Sequence, residues 1–125
     1  MTKEKKQEKQ IIEKNEVSAY LKSIKSSPLK ILKLTRNLRG MSASDAIRDL
    51  KFCNLKVAPV VSSLIYSAMS NAENNHNMDI DNLIIDRIEV GKSFVLKRFS
   101  PRARGRGNRI NKTFSNIRVV LTEKE

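Results

Sequence analysis

The residues with the most chemistry in them lie between Lys92 and Arg118. Nine side chains in that span are cationic, namely Lys92, Lys97, Arg98, Arg102, Arg104, Arg106, Arg109, Lys112 and Arg118, and Asp and Glu are absent from it. Charge of one sign without internal partners suits a polyanion, because several phosphates can be neutralised at once with release of their counterions. Arginine serves that purpose better than lysine: its planar fork grips two phosphate oxygens or stacks on an exposed base. Apolar residues are interleaved with the charges, Phe94, Val95, Leu96 and Phe99 before the most basic stretch and Ile110 and Phe114 after it. Such interleaving predicts paired strands in preference to a solvated loop. Gly105 and Gly107 offer positive φ or close backbone approach at a turn, and Pro101 stiffens the entry to it.

Other reactive side chains are poorly placed for catalysis. His76 stands close to Asp79 and Asp81 in a polar stretch, which suggests a metal or acid–base site. Two carboxylates and one imidazole without further ligands make a weak one, and the expectation is a solvated turn. No base can be assigned to Cys53, so a small residue near a helix end is expected there rather than a nucleophile. Ser26, Ser27 and Ser42 precede helical patterns and read as caps.

Composition points the same way. The chain has 125 residues and a formal net charge of +12, an excess that calls for a polyanionic partner. A single cysteine and no Cys/His pattern of zinc-ligand spacing suggest a reduced, cytosolic setting. Met1 to Lys14 alternates Lys with Glu and lacks an apolar core of the signal-peptide kind. No stretch approaches the roughly 20 apolar residues that a membrane span needs. The expectation is therefore a nucleic acid and not a membrane.

The elements that must position the basic segment follow from periodicity. Residues 1–15 have little to bury and are expected to form a flexible tail, leaving 16–125 as a single globular domain that binds nucleic acid. Val17 to Leu21 predicts a short strand. Ser26-Ser27-Pro28 opens a helix carrying Ile31, Leu34, Thr35 and Leu38, which Gly40 stops. Ser42 and Asp45 start a second helix with Ala43, Ala46, Ile47 and Leu50 on one face, ending near Cys53-Asn54. A third runs from about Val57 to Asn75, with Pro59 in its first turn and an apolar stripe of Val61, Leu64, Ile65, Ala68 and Ala72 that the core needs. His76 to Asn82 reads as a turn. Leu83 to Val90 is a β-rich run, and Ile117, Val119 and Leu121 alternate as in a half-buried strand. The intervening 91–116 is too long for a structureless loop in a small domain, so an extended hairpin is expected there. The fold class is α+β: three helices packed on a small antiparallel three-stranded sheet, with a long protruding β-hairpin. From Ile88 to Arg104 such an arm would reach on the order of 50 Å if fully extended, against a radius of gyration of about 13 Å for the domain.

Two stretches carry a resemblance to a known family. One is Ser67-Ala68-Met69-Ser70-Asn71-Ala72-Glu73-Asn74-Asn75. The other is Leu96-Lys97-Arg98-Phe99-Ser100-Pro101-Arg102-Ala103-Arg104-Gly105-Arg106-Gly107-Asn108-Arg109-Ile110. In both, and across Val17 to Thr122, the chain resembles the bacterial large ribosomal subunit protein twenty-two. The resemblance implies a structural, non-enzymatic role without cofactor or metal. It implies a hairpin threaded through large-subunit ribosomal RNA, a part in subunit assembly, and a tip at the nascent-peptide exit tunnel near the macrolide-binding region. Neighbouring ribosomal proteins and the nascent peptide become further partners, and one copy per particle argues against an obligate homo-oligomer. Position by position, Arg102, Arg104, Gly105, Arg106 and Gly107 fall in the tip, and Asn71, Asn74 and Asn75 become RNA contacts. Gly107 stands where the family often has alanine. A free architectural nucleic-acid-binding protein is the alternative, and a metal-dependent nuclease on Asp79 and Asp81 a distant third.

Overall fold

The computed structural model describes residues 16–124, so the expected tail at 1–15 lies outside the described residues. The chain runs β1 (Glu16–Ile24), α1 (Pro28–Thr35), α2 (Ala43–Lys51), α3 (Ala58–His76), a short 3-10 turn (Ile80–Asn82), β2 (Leu83–Pro101) and β3 (Gly107–Glu123). The three strands form one antiparallel sheet in the order β1-β3-β2, which makes the last strand the central one. Three helices and a three-stranded antiparallel sheet give the α+β class expected from the sequence.

Three cross-strand rows bind the sheet to the helices. Val17, Leu121 and Ile85 share one register row; Ala19, Val119 and Ile88 the next; Leu21, Ile117 and Val90 the third. All nine are apolar and belong to, or pack against, the core. On the helical side, α3 contributes Val61, Leu64, Ile65, Ala68 and Ala72, all buried, and packs on α2 and on β1. The inward rows on β2 are odd-numbered at Leu83 and Ile85 and even-numbered at Ile88 and Val90. A β-bulge between Ile85 and Arg87 makes that change: one extra residue reverses which face every later side chain takes. The Arg39 guanidinium donates to the carbonyl of the bulged Asp86 at 3.1 Å.

The outer edge of β2 is covered as well. The Gly40 amide donates to the Ile85 carbonyl at 2.8 Å, and the Ile85 amide to Met41 at 3.0 Å. Gly40 reaches that edge with φ +83°, a conformation that glycine adopts without strain.

Several boundaries differ from the sequence reading. β1 is longer than Val17 to Leu21, because pairing with β3 carries it past a bulge between Leu21 and Ile24. α1 ends at Thr35, five residues before Gly40; turns fill the gap, with Leu38 still buried. α2 ends at Lys51, short of Cys53-Asn54. α3 begins and ends one residue later than expected, so that His76 is its last residue and Asn77 closes it in the left-handed region. Met78, read as part of a polar turn, is buried instead, and its amide returns to the Ala72 carbonyl at 3.1 Å. Ser42 caps α2 as expected, accepting from the Asp45 amide and donating to its carboxylate. Ser27 occupies the corresponding place on α1 but makes no side-chain cap bond.

Candidate nucleic-acid interface

The basic segment is built from the outer halves of β2 and β3. Beyond the Lys92–Ser115 pair and a second bulge, the strands stay in register from Val95 and Thr113 to Pro101 and Gly107. Nine residue steps from Lys92 to Pro101, at about 3.3 Å each, give an arm of roughly 30 Å. Its base is clamped by the Phe94 and Phe114 rings, stacked with centroids 4.4 Å apart. Strand alternation then divides the side chains between two faces. Leu96, Arg98, Ile110 and Lys112 share one, and Val95, Lys97, Phe99 and Arg109 the other. Cations therefore stand on both faces, and all those from Lys92 to Lys112 are exposed. Among the described residues, none of them enters an ion pair.

The turn at the tip is Ala103-Arg104-Gly105-Arg106. Arg104 at φ +60° and Gly105 at φ +69° lie consecutively in the left-handed region, and the Arg106 amide donates to the Ala103 carbonyl. Two positive φ values match the right-handed twist of the flanking strands. A second bond, from the Arg102 amide to the Arg106 carbonyl at 2.7 Å, closes the loop. Arg102, Arg104 and Arg106 are brought together here, all exposed.

Gly107 plays a different part from the one its type suggested. Its φ is not positive; the ring of Phe99 lies over it, so closely that a Cβ would stand about 2.0 Å from the ring's Cζ atom. Phe99 and Gly107 are diagonal neighbours on one face, and the missing side chain makes room for the ring. Composition gave no sign of this contact.

Arg118 is separated from the other cations. It sits in the sheet proper on the outer face, opposite Tyr20 and Glu89, with its guanidinium 3.9 Å from the Glu89 carboxylate. Nearby, Arg87 reaches across the central strand to Glu16 at 2.9 Å while also binding Asp86 and Glu89. Hydrogen bonds to Glu16 first, then Asp86 and Glu89, hold its guanidinium well above the usual arginine range. Val120 lies on this outer face between Ser18 and Arg87 and is only 1% exposed, so both faces of β3 are covered at that point. Asn74 and Asn75 are exposed and Asn71 half-buried on the last turns of α3, apart from the arm.

The alternative chemical sites dissolve into local structure. Both carboxylate oxygens of Asp79 are engaged within its own turn, by the Asp81 amide and the Asn82 side chain. Among the described residues, no group of three or more His, Cys, Asp or Glu could hold a metal ion. Cys53 is half-buried against the core. Among the described residues, no helix is long and apolar enough to cross a membrane.

Fold and arm together define a class: a small α+β scaffold that carries a cationic two-stranded arm. The model of the family described as Ribosomal protein L22p/L17e matches residues 19–122. The chain is 47% identical over 112 residues to the large ribosomal subunit protein uL22 of Rickettsia prowazekii, covering 90% of this chain and 94% of that one. To the uL22 of Caulobacter vibrioides it is 43% identical over 108 residues, 86% of each chain. To that of Rhodospirillum centenum it is 42% identical over 113 residues, 90% of this chain and 86% of the other. The chain belongs to the L22p/L17e family of ribosomal proteins. It is a structural, non-enzymatic constituent of the large ribosomal subunit, in the cytoplasm with the ribosome.

Proposed function

We propose that residues 16–125 act as one RNA-binding domain that inserts its arm into large-subunit ribosomal RNA, supports assembly of the subunit, and brings its tip to the nascent-peptide exit tunnel. The observation that carries this reading is the distribution of charge: a paired, carboxylate-free arm with cations on both faces. A basic surface on one face would suit lying along a duplex. Cations on both suit an arm enclosed by phosphate on all sides, recognised by shape and backbone with little base readout.

Lys92, Lys97, Arg98, Arg109 and Lys112 are the contacts along the shaft, and Arg102, Arg104 and Arg106 those of the tip, where Gly105 permits the turn. Asn71, Asn74 and Asn75 supply amide contacts from the end of α3. Arg118, shared with Glu89, contributes less than the arm. The nascent peptide would pass the tip, with neighbouring ribosomal proteins against the globular part. Sedimentation of tagged protein through a gradient at moderate salt tests the whole reading. Nearly all copies should travel with the large subunit and whole ribosomes; a predominantly free pool, or one associated with DNA, overturns it.

A further inference from the structure

The tip of the arm keeps a fixed shape without a core beneath it. Every residue from 101 to 110 is exposed, yet the turn holds Arg104 at φ +60°. Side chains other than glycine adopt that region at a cost, and keep it only where the surroundings impose it. Two backbone hydrogen bonds, from Arg102 to Arg106 and from Arg106 to Ala103, close the loop upon itself. They do not decide how the loop is set on the shaft.

That direction is decided at the last strand pair below the turn, Pro101 with Gly107. Phe99 stands on the same face, and its ring covers Gly107 so closely that three of its atoms would lie within 2.8 Å of a Cβ built there. Between Val95 and Thr113 it is the one aromatic residue. The ring remains 66% exposed, so burial elsewhere does not hold it in place; the bare backbone of Gly107 is its seat. Gly107 has no positive φ, so its own backbone does not require glycine. The ring requires it.

We propose that Phe99 is a positioning residue for the tip: seated on Gly107, its ring sets the direction in which the turn leaves the shaft. Arg102, Arg104 and Arg106 are thereby presented in one arrangement before any RNA is met. The inference rests on the proposed reading of the arm as an RNA ligand and deepens it: the arginines supply charge, and the seated ring supplies pre-organisation. A tip that is competent only part of the time binds with its affinity reduced by that fraction.

The test uses the full chain, free and with in vitro transcribed bacterial large-subunit ribosomal RNA. In NMR spectra of the free protein, the Phe99 ring current should move the Gly107 protons upfield, and Phe99→Leu should return them to ordinary glycine positions. An unshifted Gly107 in the unaltered chain overturns the proposal. RNA affinity is then measured against salt for the unaltered chain, Phe99→Leu, Phe99→Tyr, Gly107→Ala and the double variant Phe99→Leu with Gly107→Ala. Phe99→Leu and Gly107→Ala should each weaken binding about 3-fold to 10-fold, and the double variant no further than either alone. Phe99→Tyr should bind as the unaltered chain does. The slope of log affinity against log salt should change by less than about 1 throughout, because the phosphate contacts are kept. Alanine in place of Gly107 would by itself favour the ordered strand, so weaker binding there reports the displaced ring. Loss in Phe99→Leu without loss in Gly107→Ala would make Phe99 a direct RNA contact, and additive losses would make the two residues independent; either result overturns the proposal. Arg102→Ala, Arg104→Ala and Arg106→Ala together separate the two readings. If that variant binds unchanged, the RNA reading of the arm fails and the positioning role with it, even with Gly107 shifted; if it weakens binding while Gly107 is unshifted, the positioning role fails alone.

Discussion

Removing the three tip arginines together, Arg102→Ala, Arg104→Ala and Arg106→Ala, isolates the electrostatics of the arm from the stability of the fold. All three side chains are exposed and without ion-pair partners among the described residues. The bonds that close the turn involve only the backbones of Arg102, Ala103 and Arg106, so the melting temperature should stay within a few degrees of the unaltered value. Each phosphate contact contributes roughly 0.7 to 0.9 to the slope of log affinity against log salt, so losing three lowers it by about 2 to 3. Between 50 and 200 mM salt the unaltered protein should then lose roughly 20-fold to 40-fold more affinity than the variant does. Fluorescence anisotropy with labelled large-subunit ribosomal RNA across that range measures both slopes. An unchanged slope with weakened binding would mean that the arginines act by stacking or shape; unchanged slope and affinity would refute phosphate contact at the tip.

Shortening the arm by replacing residues 102–107 with a two-residue Asn-Gly turn should alter macrolide sensitivity of the ribosome more than the yield of assembled subunits, as read by inhibition curves and gradient profiles; assembly failing first would make the tip a folding element for the RNA. Phe94→Ala removes the stack with Phe114 and should lower stability by about 0.5 to 1.5 kcal/mol beyond the lost area, measured by denaturant titration. Ile65→Ala, at a fully buried position in the stripe of α3, should cost about 2 to 5 kcal/mol in the same titration; a loss below about 1 kcal/mol would mean that the stripe does not anchor the core.

The element types and the nature of the partner were legible in the sequence because their causes are local. Helical spacing of Val61, Leu64, Ile65, Ala68 and Ala72 specifies a buried face whatever it packs on. Alternation at Ile117, Val119 and Leu121 specifies a strand, and the absence of acids from Lys92 to Arg118 specifies an anionic partner. What remained hidden depends on residues far apart in the chain. The bulge at Asp86 reverses the faces of β2 only because the register with β3 demands it. Val120 breaks the alternation because Arg87 reaches over the central strand to Glu16. Gly107 looked like a turn glycine until Phe99, eight positions earlier, was seen lying on it. Periodicity and charge are properties of a segment and survive in the bare sequence. Register, face and proximity belong to pairs of segments, and only the packed tertiary structure decides them.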